Sequence, residues 1–167
     1  MKFVLRKWEQ EDAESFAKYA GNENIARNLR DGFPVPFPQE TAETMIRSFL
    51  DYDGKNQCSR AICVDGEAVG SIAVFFRDNI YRKSAEIAYW LGEPFWNNGI
   101  TSCAIKEICE YVFTHYDICR ISAEPIGYNI GSQKALLKAG FELEGILRKS
   151  VYKNGEIYDS KLYALIK

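Results

Sequence analysis

The sequence predicts an α/β domain of the α+β kind, in which about four helices cover a mixed, mostly antiparallel central sheet of about seven strands. Three observations carry that expectation. Apolar residues recur at helical spacing in four separate stretches. Continuous or alternating apolar runs fill the intervals between them. Two pairs of those runs flank Asp65-Gly66 and Asn154-Gly155, dipeptides suited to hairpin turns.

Taken in order, residues 2–8 (KFVLRKW) start a strand, and EQEDAESFAKYA then sets Ala13, Phe16, Ala17 and Ala20 on one helical stripe. Glu9, Glu11 and Asp12 favour a helix start there, because carboxylates offset the positive end of the helix dipole. Residues 21–38 carry Pro34, Pro36 and Pro38, which bar regular helix and leave either an ordered, substrate-facing loop or a connector. Ala42, Met45, Ile46, Phe49 and Leu50 predict a helix over roughly 39–53. SRAICV and AVGSIAVFF form a hairpin across Asp65-Gly66, and AEIAYWL (85–91) is the next strand.

From 99 to 116, Ala104, Ile105, Ile108, Cys109, Val112, Phe113 and Tyr116 line one helical face, with Lys106, Glu107, Glu110 and Thr114 on the other. ICRISAEP (118–125) reads as a strand. Asn129 then caps a short helix that ends at Lys138, with Gly140 supplying the left-handed residue beyond it. Residues 141–153 and 156–166 close the chain as a hairpin. The order β-α-α-β-β-β-α-β-α-β-β requires at least one parallel crossover, through the 99–116 helix.

With 167 residues, 47% of them apolar and 14% aromatic, the chain can bury a core of its own, so one domain over 1–167 is expected and disorder is excluded. Twenty-one basic against 23 acidic residues give a net charge of −2, too little positive field for wholesale binding of nucleic acid or an anionic membrane. No apolar run approaches the roughly 18–20 residues of a membrane span, and MKFVLRKWEQED lacks a signal-peptide core, so a cytoplasmic location is expected. The five cysteines contain no C-x-x-C pair, which argues against a disulfide framework or a zinc site and for buried thiols. The one histidine, His115, falls in the last turn of the 99–116 helix, and no metal is expected. An exposed edge strand leaves monomer and homodimer both open.

The feature that invites chemistry is the strand at 85–91, the turn GEPFWNN and the helix opening Gly99-Ile100-Thr101-Ser102. A helix start leaves several amides unpartnered and adds partial positive charge, which suits a phosphate. Gly99 would let that phosphate approach the backbone, or it is a plain helix-start glycine.

These residues resemble a known family. Glu86-Ile87-Ala88-Tyr89-Trp90-Leu91, Pro94-Phe95-Trp96-Asn97-Asn98-Gly99-Ile100-Thr101, Asn129-Ile130-Gly131-Ser132 and Lys138-Ala139-Gly140-Phe141-Glu142-Leu143-Glu144-Gly145 are similar, in joint spacing, to the GNAT N-acetyltransferases. Within the family the likeness is to the RimJ/RimL-like branch that acetylates protein N-termini. It covers essentially the whole chain and implies the GNAT acyl-CoA N-acyltransferase fold, with acetyl-CoA as co-substrate.

The resemblance implies that the amides of Asn97, Asn98, Gly99, Ile100, Thr101 and Ser102 cradle the pyrophosphate. Against the family pattern [QR]-x-x-G-x-[GA], Gly99 matches while Trp96 and Thr101 depart. It further implies that the backbone of Ala88, Tyr89, Trp90 and Leu91 pairs with the pantetheine arm, and that Asn129 holds that arm or merely caps its helix. Many family members carry, four residues before the glycine of the Gly140-Phe141 pair, a tyrosine that protonates the leaving thiolate. Leu136 stands there, and Ser132 matches the serine that takes the role in the RimL-like pattern, although it is also placed to be a cap.

Glu86 matches the family's general base, its alternative being a solvent-facing carboxylate at a strand end, and Glu124 is a second candidate bordering the same cleft. Tyr128 is a substrate-side candidate; it and Tyr158 are cleft-wall or packing aromatics. The expected activity is acetyl transfer to a primary amine, a protein N-terminal α-amine first and a polyamine, amino acid or antibiotic second. A non-catalytic acyl-CoA sensor is the remaining alternative.

Overall fold

A computed structural model describes residues 1–167. Seven strands, β1 (Val4–Arg6), β2 (Gln57–Val64), β3 (Glu67–Phe76), β4 (Ser84–Leu91), β5 (Arg120–Ala123), β6 (Glu142–Lys153) and β7 (Glu156–Ile166), join in one sheet in the order β1-β2-β3-β4-β5-β7-β6. All neighbours are antiparallel except β4 and β5. The crossover between those two is α4 (Ile100–His115), as a parallel pair demands. Asp65-Gly66 and Asn154-Gly155 both hold two consecutive positive φ angles, the conformation a tight hairpin needs.

The period of each strand sorts its side chains onto two faces. On one, α4 and α5 (Ile130–Lys138) cover a cluster of 22 buried residues that includes Ile72, Ile87, Ile105, Ile108, Ile121 and Leu136. On the other, α1 (Ala13–Ala20) and α3 (Gln39–Tyr52) cover a cluster of 12 around Trp8, Phe16, Ile46 and Trp90. The helical stripes behave as the spacing predicts: Ala104, Ile105, Ile108, Cys109 and Val112 are buried, and Lys106, Glu107 and Glu110 exposed. His115 ends α4, stacked on Tyr111 at 4.0 Å, with its Nδ1 2.8 Å from the Tyr111 carbonyl oxygen.

Three expectations need correction. The 21–38 stretch contains a helical turn, α2 (Glu23–Ala26), because its prolines come later and Asn22 caps the turn by accepting from the Asn24 amide. Strands β1 and β5 are shorter than 2–8 and 118–125; Trp8 leaves its strand to stack on Phe49, and β5 ends where its neighbours diverge. Of the cysteines only Cys58, Cys63 and Cys109 are buried, whereas Cys103 and Cys119 are exposed. No helix is long and apolar enough to cross a membrane.

Candidate active site

The site begins with a mismatch in strand length. β4 pairs with β3 along its whole course, from Phe76 opposite Ala85 to Gly70 opposite Leu91, but β5 accompanies it only from Ser84 to Glu86. Beyond Glu86 the sheet splays. Because the Gly92 amide bonds Val69 O and the Arg77 amide bonds Ser84 O, the even-numbered residues of β4 turn their main chain to β3. The amide and carbonyl of Tyr89 and the amide of Leu91 therefore face the gap, while the Leu91 carbonyl accepts from the Trp96 indole at 2.7 Å. An extended ligand can add there as a further strand.

The loop after β4 leads directly into α4. Asn97 and Gly99 both take positive φ, 61° and 75°, and a Cβ built on Gly99 meets nothing within 4 Å. Asn98 folds its side chain back onto the Phe95 and Trp96 carbonyls. The first amide of α4 with a carbonyl partner is that of Cys103, bonded to Gly99 O at 3.2 Å; the six before it, Asn97 to Ser102, donate to no carbonyl of the chain. Six free donors at the positive end of a helix of 16 residues form a fit cradle for a pyrophosphate. The departures at 96 and 101 do not close it, since the Trp96 side chain is used in the turn and Thr101 contributes its amide. Ile100 is buried in the core, so only its main chain can serve.

Across the gap stands the start of α5. The Asn129 side chain caps it by accepting from the Ser132 amide at 3.2 Å, and Ser132 Oγ lies 2.7 Å from the hydroxyl of Tyr89. Burial holds the Tyr89 phenol well above its ordinary pKa, and the bond to Ser132 offsets only part of that. Leu136, at the family's tyrosine position, is fully buried in the larger core. Lys134 and Lys138, one helical turn apart, also line the cleft.

Glu86 and Ala88 lie on the opposite face from Tyr89, the face of α1 and α3, and Ala88 is exposed although it sits in mid-sheet. The two candidate carboxylates have different company. Glu86 is bracketed by Arg30 at 3.0 Å and Arg77 at 3.5 Å. Glu124 is exposed just beyond β5 and accepts from Ser160 Oγ at 2.6 Å, with Ser150 Oγ 2.5 Å from Ser160 Oγ. Ser160 shares the Glu86 face, because Glu86 pairs with Ser122, Ser122 with Ala164, and Ala164 lies four residues along β7 from Ser160.

Glu86, Glu124, the exposed main chain of β4, the 97–102 loop and Ser132 all line one cleft of about 1000 Å³. A neighbouring groove of about 920 Å³ opens between residues 23–35 and the β6–β7 hairpin, and the two meet at Asn24, Arg27, Asp31, Tyr128 and Lys153. Arg27 lies over the Tyr128 ring, whose edge meets Tyr158, and Asp31 pairs with Lys153 at 3.3 Å. These contacts tie the proline-bearing loop to the hairpin and answer its open question: it forms one wall of the cleft. Neither Arg30 nor the hydroxyl of Tyr89 was legible as a site group. A lone arginine in a loop carries no spacing signal, and the strand pattern gives Tyr89 only as an alternating apolar residue.

Comparison with known proteins agrees with this arrangement. The Acetyltransferase (GNAT) domain family matches residues 2–142. The uncharacterized N-acetyltransferase YoaA of Bacillus subtilis is 31% identical over 99% of this chain and 94% of its own length. The putative ribosomal N-acetyltransferase YdaF of the same organism is 30% identical over 75% of this chain and 68% of its own. The structure of RimL, a ribosomal L7/L12 α-N-protein acetyltransferase in complex with coenzyme A, shares the fold, with a TM-score of 0.89 at 22% identity over 99% of this chain and 94% of that one. With a splayed β4–β5 pair, an amide cradle opening α4 and a sequence match over most of its length, the chain belongs to the GNAT acetyltransferase family and is an acetyl-CoA-dependent N-acetyltransferase.

Proposed function

We propose that the acceptor is a protein N-terminal α-amine, entering from the α1/α3 face, with Glu124 taking its proton. The observation that carries the acceptor assignment is the continuity of the cleft with the groove between residues 23–35 and the β6–β7 hairpin, which leaves room for a peptide end rather than a closed pocket for a small amine. The likeness to a putative ribosomal N-acetyltransferase supports the same reading.

Acetyl-CoA supplies a thioester, which an uncharged amine can attack. The amides of Asn97 to Ser102 hold the pyrophosphate and leave the acyl end beside β4. The free Leu91 amide, nearer the phosphate loop, pairs with the pantetheine arm, and the free Tyr89 amide, nearer the fork between β4 and β5, donates to the developing oxyanion. Asn129 fixes the start of α5 from the other side, and Ala88 and Trp90 shape the gap with their side chains.

An α-amine with a pKa near 8 loses its first proton cheaply, and its nitrogen becomes strongly acidic as the bond to carbon forms. Glu124 takes that second proton because it lies exposed at the cleft with one hydroxyl partner, whereas both carboxylate oxygens of Glu86 are already engaged, one by Arg30 and the other by Arg77. Glu86 then serves to hold the loop through Arg30. Ser132 donates to the sulfur as the C–S bond breaks. Ser132 regains a proton from solvent as Glu124 releases one there, so the amine nitrogen gives up one proton and the thiol gains one.

The test is intact-mass analysis after incubation with acetyl-CoA and a mixed panel of peptides, polyamines and free amino acids. Acetylated peptide α-amines are expected. Acetylation confined to polyamines or free amino acids would overturn the acceptor assignment.

A further inference from the structure

The hydroxyls of Tyr89 and Ser132 are 2.7 Å apart, and neither has another hydrogen-bond partner. Two protons are therefore available and only one occupies the link. A phenol is the stronger donor and an aliphatic hydroxyl the stronger acceptor, so the favoured arrangement runs from Tyr89 to Ser132 Oγ. Both residues line the cleft, and they come from different elements, β4 and the first turn of α5.

We infer that Tyr89 is a positioning residue: its hydroxyl donates to Ser132 Oγ and so leaves the serine's own proton free to point into the gap, at the sulfur. The inference rests on the reading that Ser132 is the donor to that sulfur. Without Tyr89 the serine proton has competing directions, including the carbonyls of the preceding turn, which Ser and Thr hydroxyls in helices commonly find. Burial keeps the phenol protonated at neutral pH, so it enters the link as a donor. The positive end of α5 acts in the same direction, favouring negative charge on the sulfur. The same residue thus offers its main chain to the thioester carbonyl and its side chain to the group that meets the leaving atom.

The direct readout is the pKa of the coenzyme A thiol in the binary complex, followed by the ultraviolet absorbance of the thiolate, alongside steady-state kinetics. Tyr89→Phe is expected to raise that pKa by about half to one unit, the size of one hydrogen bond, and to lower kcat about threefold to tenfold with the KM for acetyl-CoA unchanged. Ser132→Ala should do the same or more, and the double variant should add nothing. Calorimetric affinity for coenzyme A, unchanged in Tyr89→Phe, shows that the strand is intact; a variant that loses affinity along with rate would overturn the positioning role. So would an unchanged thiol pKa and kcat in Tyr89→Phe when Ser132→Ala alters both. If Ser132→Ala alters neither, it is the reading of Ser132 itself that fails.

Discussion

Individual side chains acquire their chemistry here from neighbours more than from type. Two glutamates reach the same cleft, yet one is held between guanidinium groups and the other by a hydroxyl. The cysteines divide in the same way. Burial raises the thiols of Cys58 and Cys109, to about 11 and about 12, so they carry almost no thiolate at neutral pH. Cys103, in the first turn of α4, and Cys119, before β5, are exposed. Alkylation of the native protein should label those two alone, and unfolding should release the other three, as read by peptide mass analysis. Early labelling of Cys58 or Cys109 would contradict the packing. Composition gave the cysteine count and excluded a zinc pattern, but exposure depends on which face of α4 turns outward at its first turn, where the stripe has only begun.

At the level of elements, the regular pieces were legible because their signals are local. The stripe of α4 is set by residues one turn apart, and each hairpin by two residues at its tip. What could not be read was the splay: whether β5 follows β4 beyond Glu86 depends on residues more than thirty positions apart. The turn α2 was hidden by the prolines after it, and its anchorage is likewise non-local. Asn22 and Asn24 donate to Glu93, next to the phosphate loop, and hold that carboxyl below its ordinary pKa of 4.5.

A carboxyl depressed in the folded state stabilises it above the unfolded pKa, and that contribution is lost as the pH falls through the folded value. Hydrogen-exchange protection across residues 22–30 should therefore hold at neutral pH and decline below about pH 4. Glu93→Ala should show the reduced protection already at neutral pH. Equal protection in the variant and the parent at neutral pH would mean that the anchor does not hold the loop.

Over the whole molecule, the sheet separates two approaches. The α4/α5 face carries the unpaired amides of residues 97–102, Tyr89 and Ser132, and the α1/α3 face carries Glu86, Glu124 and the proline-bearing loop; they meet where β4 and β5 part. A net charge of −2 is no obstacle to a ligand with several phosphates when six unpaired amides open α4 and two lysines of α5 line the same cleft. That balance excludes a long charged polymer better than it excludes coenzyme A. The sequence motifs located both halves of this arrangement, but not the choice between the carboxylates, which turns on Arg30, Arg77 and Ser160 arriving from three distant segments.

The most direct measurement is the acetylation rate of a short peptide with a free α-amine by the parent protein, Glu124→Gln and Glu86→Gln at one pH. The expected result is a fall of about a hundredfold or more in kcat for Glu124→Gln, with a smaller effect in Glu86→Gln. An unchanged rate in Glu124→Gln, or a larger loss in Glu86→Gln, would contradict the assignment of the proton to Glu124.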